Sequence, residues 1–255
     1  MKQNIFFLVL ARDRIGLNRK IRELNELEVP FLIVCGEKVD TQNTVYRKPI
    51  GKYDAINFGF ESIDTDKIIC LNDVDTSIHG FDEALELLEK EDADVVFCKV
   101  LVKEGPQPFF YRFLDNIRRI LPVAASGELM LIKPTLLKRM IPLKPCKAED
   151  TYILFKSLEL GYKTVFCETC WVETERTKTL IGESNYKKRT VSGIYQALSY
   201  TNPPFFIRFF YLLLPFLTPL LLLSGEKGFY WMKGIINGVA NFSSGVISKR
   251  QEGIF

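Results

Sequence analysis

The sequence predicts an α/β domain with a mostly parallel sheet flanked by helices, followed by an apolar helical hairpin at the C-terminus. Three observations predict it. Up to about residue 100, short apolar runs alternate with amphipathic helical stretches, the order that builds strand–helix–strand units. The apolar runs are continuous rather than alternating, as in strands buried on both faces. Beyond residue 202 the chain turns abruptly apolar.

The elements follow in order. "IFFLVLA" is the first strand. It is too short for a secretory signal and has no small-residue cleavage site, so the N-terminal part is expected in the cytoplasm. "GLNRKIRELNEL" is a helix with Ile21, Leu24 and Leu27 at helical spacing. "VPFLIVCG" is the second strand, and "GKYDAINFGFESI" the second helix, with Ala55, Ile56 and Phe60 on one side. "KIICLND", "GFDEALELLEK" and "ADVVFCKV" continue as strand, helix and strand. From about residue 104 the regularity weakens. "PQPFFYRFLDNIRRIL" reads as a helix with an aromatic face, and "SGELMLIKPTLLKRM" as a strand running into a helix. "AEDTYILFKSLELG" is a helix with Gly161 past its end, and "KTVFCETCWVET" is taken as a strand.

Composition narrows the function classes. The net charge is +3 with no long basic block, which argues against a dedicated nucleic-acid binder. Six cysteines lie mostly inside apolar runs, as small core hydrophobes of a reducing compartment do. "CETC" has CxxC spacing. On a strand, however, Cys167 and Cys170 would point to opposite faces, and no second CxxC completes a zinc site.

The segment "FFIRFFYLLLPFLTPLLLL" carries one charge, Arg208, over residues 205–223, close to the roughly 20 residues that span a bilayer. A polar loop, "SGEKG", separates it from "FYWMKGIINGVANFSSGVI", rich in small residues that suit helix contact within a membrane. Lys249 and Arg250 at one end, and Lys187, Lys188, Arg189 and Arg208 at the other, favour a hairpin with both ends cytoplasmic. Pro215 and Pro219 would kink a spanning helix, so a helix lying in the interface is the competing arrangement.

The chemistry centres on "IICLNDVDTSI", where an apolar strand ends in two aspartates, Asp73 and Asp75. Carboxylates there are costly to bury unless something cationic sits against them. In open α/β sheets ligands bind beyond the carboxyl ends of the strands, which makes both acids site candidates. Glu149 and Asp150 open the helix at "AED". Their plain reading is first-turn acids that complement the helix dipole.

The ordered set "GK…N.G", "NDVD" after a strand, "G…MLIK", "AED" opening a helix and the basic cluster in "NYKKRTVSG" resembles the family 2 glycosyltransferases, with the GT-A fold and its Rossmann-like sheet. The resemblance covers roughly residues 1–200. It implies a glycosyltransferase domain over 1–202, with a nucleotide-binding half at 1–100 and an acceptor half at 101–202, ahead of the membrane-associated hairpin that the apolar pattern gives over 203–255. It implies an inverting transfer from a nucleotide-diphosphate sugar, with Mg²⁺ or Mn²⁺ neutralising the diphosphate. By resemblance Asp75 takes the metal, Asp73 the ribose or the metal shell, and Asp150 the acceptor proton as general base with Glu149 in support. Lys52 would lie near the nucleotide, or be an ordinary exposed lysine at a helix start. Arg189 with Lys187 and Lys188 would clamp the diphosphate, or meet anionic lipid beside the membrane. The hairpin implies a lipid-linked acceptor.

Three departures from the family pattern stand out. "YKKRT" has neither the glutamine nor the tryptophan of the QxxRW element, which argues against processive polysaccharide synthesis. The second strand ends in "VCGEKVD", so Glu37 or Asp40 replaces the usual base-binding aspartate. "WVETERT" offers Glu173 and Glu175 where a late histidine is usual, and His79 reads as structural. Two rivals remain: a membrane-anchored nucleotide-binding domain without turnover, and a haloacid-dehalogenase-like phosphatase. "DVDTS" suits the latter, but it follows the third strand rather than the first.

Overall fold

The computed structural model describes residues 4–63, 66–103, 108–175 and 177–251. Its strands are β1 (Ile5–Ala11), β2 (Phe31–Cys35), β3 (Thr44–Tyr46), β4 (Ile68–Asp73), β5 (Ser77–His79), β6 (Val95–Val102), β7 (Leu129–Ile132) and β8 (Thr164–Thr174). They join one sheet in the order β3-β2-β1-β4-β7-β6-β8-β5. The short β3 and β5 were not expected from the sequence. Each is three residues long, too brief to give a pattern.

The sheet is mixed, which corrects the expectation of a mostly parallel one. β1 pairs in parallel with β2 and β4, and β2 with β3. β7 runs antiparallel to both of its neighbours, β4 and β6, and β5 runs antiparallel to β8. The reason is physical. "LMLI" of β7 is buried throughout, and an apolar run buried on both faces carries no record of its direction.

Side chains alternate across each strand and feed two cores. Phe7 and Val9 of β1 face one, against Leu17 and Leu24 of α1 (Leu17–Glu26) and Phe81 and Leu85 of α3 (Phe81–Lys90). Leu8 and Leu10 face the other, against α2 (Lys52–Glu61), α4 (Pro108–Ile120), α5 (Pro134–Met140), α6 (Glu149–Glu159) and α7 (Leu180–Tyr200). Gly59 of α2 lets that helix close on β1, since a Cβ there would lie 2.4 Å from Leu8 Cδ1.

All six cysteines are free and buried. Cys167 and Cys170 lie in the same core, not on opposite faces. The β6–β8 register jumps from Cys98↔Cys167 to Lys99↔Trp171. The residues skipped form a bulge, which resets the alternation.

The C-terminal part is two helical arms. α8 (Phe205–Leu217) contains Pro215 and passes into a 3₁₀ stretch, Thr218–Ser224, and α9 (Gly225–Gln251) follows. The chain doubles back at Gly225, whose φ of 67° suits glycine. A Cβ on Gly228 would sit 1.6 Å from the Leu221 carbonyl oxygen. The side chains of 244–251 lie outside the described residues, so the expected basic pair Lys249 and Arg250 is not placed. Among the described residues one stretch, Phe205–Ser243, is long and apolar enough to cross a membrane by length and composition, and only 17% of its most apolar window is buried.

Phe7→Ala is expected to cost about 3–5 kcal/mol in urea unfolding, since Phe7 is fully buried against the Phe81 ring at 5.1 Å. Phe216→Ala, at a side chain 77% exposed, is expected to stay within about 0.5 kcal/mol in the same assay.

Candidate active site

β1, β2 and β4 run in parallel, so their carboxyl ends share one edge of the sheet. Asp73 is the last residue of β4. The turn after it separates the two acids. Asp73 is buried, whereas Asp75 stands exposed at the mouth.

The turn is braced from beneath. Thr76 Oγ1 donates to the Asp73 carbonyl at 2.8 Å and accepts from Asn72 Nδ2 at 3.0 Å. Lys20 of α1 is fully buried, and its Nζ lies 3.4 Å from Thr76 Oγ1 and 2.6 Å from Glu23 Oε2. Glu23 Oε1 accepts from the Ile78 amide at 2.6 Å. None of this was anticipated. The signal was present, however: Lys20 shares the i, i+3, i+7 stripe with Leu17 and Leu24, and a lysine on a buried stripe needs a partner.

Among the described residues the cation paired with Asp73 is Lys52. Its Nζ lies 2.5 Å from Asp73 Oδ2 and 3.8 Å from Glu149 Oε1. Lys52 is the first residue of α2, where the helix dipole disfavours positive charge. The two carboxylates offset that penalty. Burial works against the Lys52 charge, but Asp73, Glu149 and Glu128 outweigh it and raise its pKa. Half the side chain remains accessible, at 43% exposure.

Glu149 and Asp150 open α6 and converge on the same edge. Asp150 Oδ2 accepts from the Gly127 amide at 3.0 Å and Oδ1 from the Thr151 amide at 2.6 Å. It thus ties the loop before β7 to the start of α6. Gly193 of α7 closes the back: a Cβ there would lie 2.6 Å from the Ala148 amide nitrogen.

The electrostatics are those of crowded acids. Burial, helped by Glu128 and Asp75, lifts Asp73 to about 6 against the pull of Lys52. Burial lifts Glu149 to about 7, with Asp150 and Asp73 adding to it and Lys52 opposing. Asp150 also rises, through burial and then Glu128, with the Thr151 amide, Lys52 and Arg118 opposing. Glu128, in "SGELML", was missed in the sequence. Nothing in that stretch marks it before the loop folds against Asp73.

The remaining candidates are spread wider. Glu37 is exposed just past β2, and its Oε2 accepts from the Arg14 amide at 3.3 Å. β2 is two strands from β4 in the sheet, about 10 Å by strand spacing. Arg189 is exposed on α7, one turn before Gly193 on the face that meets Ala148. Lys188 faces the other way and lines a cavity between α7 and α9. Lys187 is buried with its Nζ 3.9 Å from the Trp231 ring centroid. His79 stacks on Trp171 at 5.3 Å, and Glu173 binds Lys103. The structure therefore gathers Asp73, Lys52, Glu149 and Asp150, adds Glu128, and leaves Lys188 aside.

Among the described residues no group of three or more His, Cys, Asp or Glu side chains is arranged to hold a metal ion. Two acids nevertheless suit a hard cation that takes one or two carboxylates and completes its shell with substrate phosphates. Asp75 is exposed, and Asp73 Oδ1 is buried without a hydrogen-bond partner.

The raised carboxyl pKa values predict the pH response of the chelator-treated protein. A carboxyl with a folded pKa above its unfolded value makes the native state bind more protons, so stability falls as pH rises from about 4.5 through about 7. Glu149→Gln is expected to flatten that fall, measured by urea unfolding at successive pH values.

No protein-family model matches the sequence, and no curated protein matches it. Solved structures do. The mannosyltransferase PcManGT of Pyrobaculum calidifontis, solved with GDP-Man and Mn²⁺, aligns at a TM-score of 0.64 and 15% identity, over 98% of this chain and 81% of its own. GalNAc-T7, solved with UDP, GalNAc and Mn²⁺, aligns at 0.55 and 9% identity, over 77% of this chain and 48% of its own. The M. tuberculosis glucosyl-3-phosphoglycerate synthase aligns at 0.54 and 16% identity, over 79% and 82%. At such identities the likeness is one of architecture, and the chain has the GT-A fold that these glycosyltransferases share.

Proposed function

We propose that the chain is a metal-dependent, inverting glycosyltransferase of the family 2 type, moving a sugar from a nucleotide diphosphate to a lipid-linked acceptor at the cytoplasmic face of a membrane. The observation that carries the reading is the turn at the end of β4: Asp73 buried against Lys52 and Asp75 exposed at the mouth. It sits in a fold shared with enzymes solved with nucleotide or nucleotide sugar and Mn²⁺.

In this reading Asp75, with Asp73, would hold Mn²⁺ or Mg²⁺, which when bound neutralises the departing diphosphate. Lys52 holds Asp73 charged and adds positive charge beside the phosphates. Glu37 meets the nucleoside end, and Arg189 approaches the diphosphate from α7. Asp150, its pKa raised by burial, takes the proton from an acceptor hydroxyl as that oxygen attacks the anomeric carbon. Glu149 fixes Lys52. An acceptor that is already anionic, such as a lipid phosphate, needs no base, and Asp150 then only positions it. The domain at 1–202 does the chemistry, and the segment at 203–255 raises the local concentration of acceptor.

A nucleotide-binding protein without turnover is the second reading, favoured by the absence of an acid directly at the end of β2, which closes on Cys35. The two separate by assay. Wild-type protein with Mn²⁺ or Mg²⁺ and membrane lipid is expected to release nucleoside diphosphate from one member of a UDP- and GDP-sugar panel. Chelator and Asp75→Ala are expected to abolish that release. Binding of nucleotide with no release from any donor would favour the second reading. Asp150→Asn is expected to lower turnover about 10²–10⁴-fold with a hydroxyl acceptor, and far less with a phosphate acceptor.

A further inference from the structure

The C-terminal arms bear on how the protein meets a membrane. α8 is not free to leave the domain. Ile207 and Tyr211 are buried in the core that holds Phe155, and Tyr211 Oη donates to the Val123 carbonyl at 2.6 Å. Nor is α9. Gly234 and Gly238 let it close on α7, where added Cβ atoms would lie 2.6 Å from the Ser184 carbonyl oxygen and 2.7 Å from Val191 Cβ. Asn241 Nδ2 donates to Ser192 Oγ at 3.2 Å, and Trp231 stacks on Phe110 at 4.6 Å. These contacts rise together along both helices, so α9 runs beside α7 in the same direction. A spanning hairpin would have to strip both helices from the catalytic domain.

What faces outward is apolar. Along α8 and the 3₁₀ stretch, Phe205, Leu212, Phe216, Leu220 and Leu223 are 78, 65, 77, 62 and 88% exposed. Lys188 and Lys233 line the α7–α9 cavity of about 150 Å³, which has no carboxylate in its wall. Neither lysine has an ion-pair partner among the described residues. Gly228, which packs on Leu221, lies five residues before Lys233, so the basic slot sits about 7.5 Å further along α9 and about 140° around it from the contact with the 3₁₀ stretch. Exposed apolar side chains on one helix, with unpaired lysines on the helices it packs against, match a bilayer surface that carries anionic headgroups.

We propose that the outer face of residues 205–223 lies in the plane of an anionic bilayer, with Lys188 and Lys233 seated against lipid phosphates, and that the segment does not span. The proposal rests on packing and exposure, not on the catalytic reading, and its test needs no turnover.

The test is flotation of the full-length chain with vesicles of phosphatidylcholine alone or mixed with phosphatidylglycerol, followed by depth measurement. Wild type is expected to float with the anionic vesicles. Lys188→Glu/Lys233→Glu should lose at least tenfold in partition to anionic vesicles, and Leu212→Glu/Phe216→Glu should stay unbound on both. All four side chains are exposed, so circular dichroism is expected to match wild type. Fluorophores on the thiols of the single variants Phe205→Cys, Leu212→Cys and Leu220→Cys are expected to be quenched equally by shallow brominated lipids. Binding that ignores lipid charge, or no binding at all, would overturn the proposal. So would a depth that runs through the bilayer centre from 205 to 220.

Discussion

The ion pair between Lys52 and Asp73 is the constraint on which the site depends. An ionised carboxylate at the buried end of a strand is expensive, and so is an ammonium at the first turn of a helix. Each cost is offset by the other only because β4 and α2 deliver the two groups to the same point, 2.5 Å apart. Glu149 joins the pair at 3.8 Å from α6. Three elements distant in the chain are thereby drawn to one edge of the sheet. The arrangement leaves more carboxylate than lysine there, with Glu128 and Asp150 nearby and Asp73 and Glu149 raised to about 6 and about 7. Such a surplus of buried acid is what a divalent cation would relieve.

The turn that presents Asp75 is held just as tightly. Thr76 bonds to both Asn72 and Asp73, and the buried Lys20–Glu23 pair fixes the turn from α1. The exposed aspartate thus stands on a rigid base. That suits a role in which only one or two protein oxygens share the ion with a substrate.

Much of this was legible in the sequence, and the limits are instructive. The apolar runs located β1, β2, β4 and β6 within two residues at each end, and the "NDVD" and "AED" acids did meet at one edge. Strand direction was not legible, because β7 is apolar on both faces. The two buried faces of Cys167 and Cys170 were misjudged because a bulge breaks the two-residue period. Glu128 and Lys20 escaped because the groups they meet around the turn, Asn72 and Thr76, each lie 56 residues away in the chain. Lys188 was grouped with Arg189 as neighbours in sequence, yet adjacent residues on a helix point about 100° apart, and only Arg189 shares the face that meets α6.

The Asp73–Asp75 turn is expected to bind a divalent cation together with a nucleoside diphosphate. The most direct measurement is calorimetric titration of GDP and of UDP into the full-length protein, with Mn²⁺ and then with chelator, repeated on Asp75→Ala. One of the two nucleotides should bind with Mn²⁺ and lose at least tenfold in affinity both on chelation and in the variant. Binding of neither nucleotide, or binding indifferent to Mn²⁺ and to Asp75, would contradict the account.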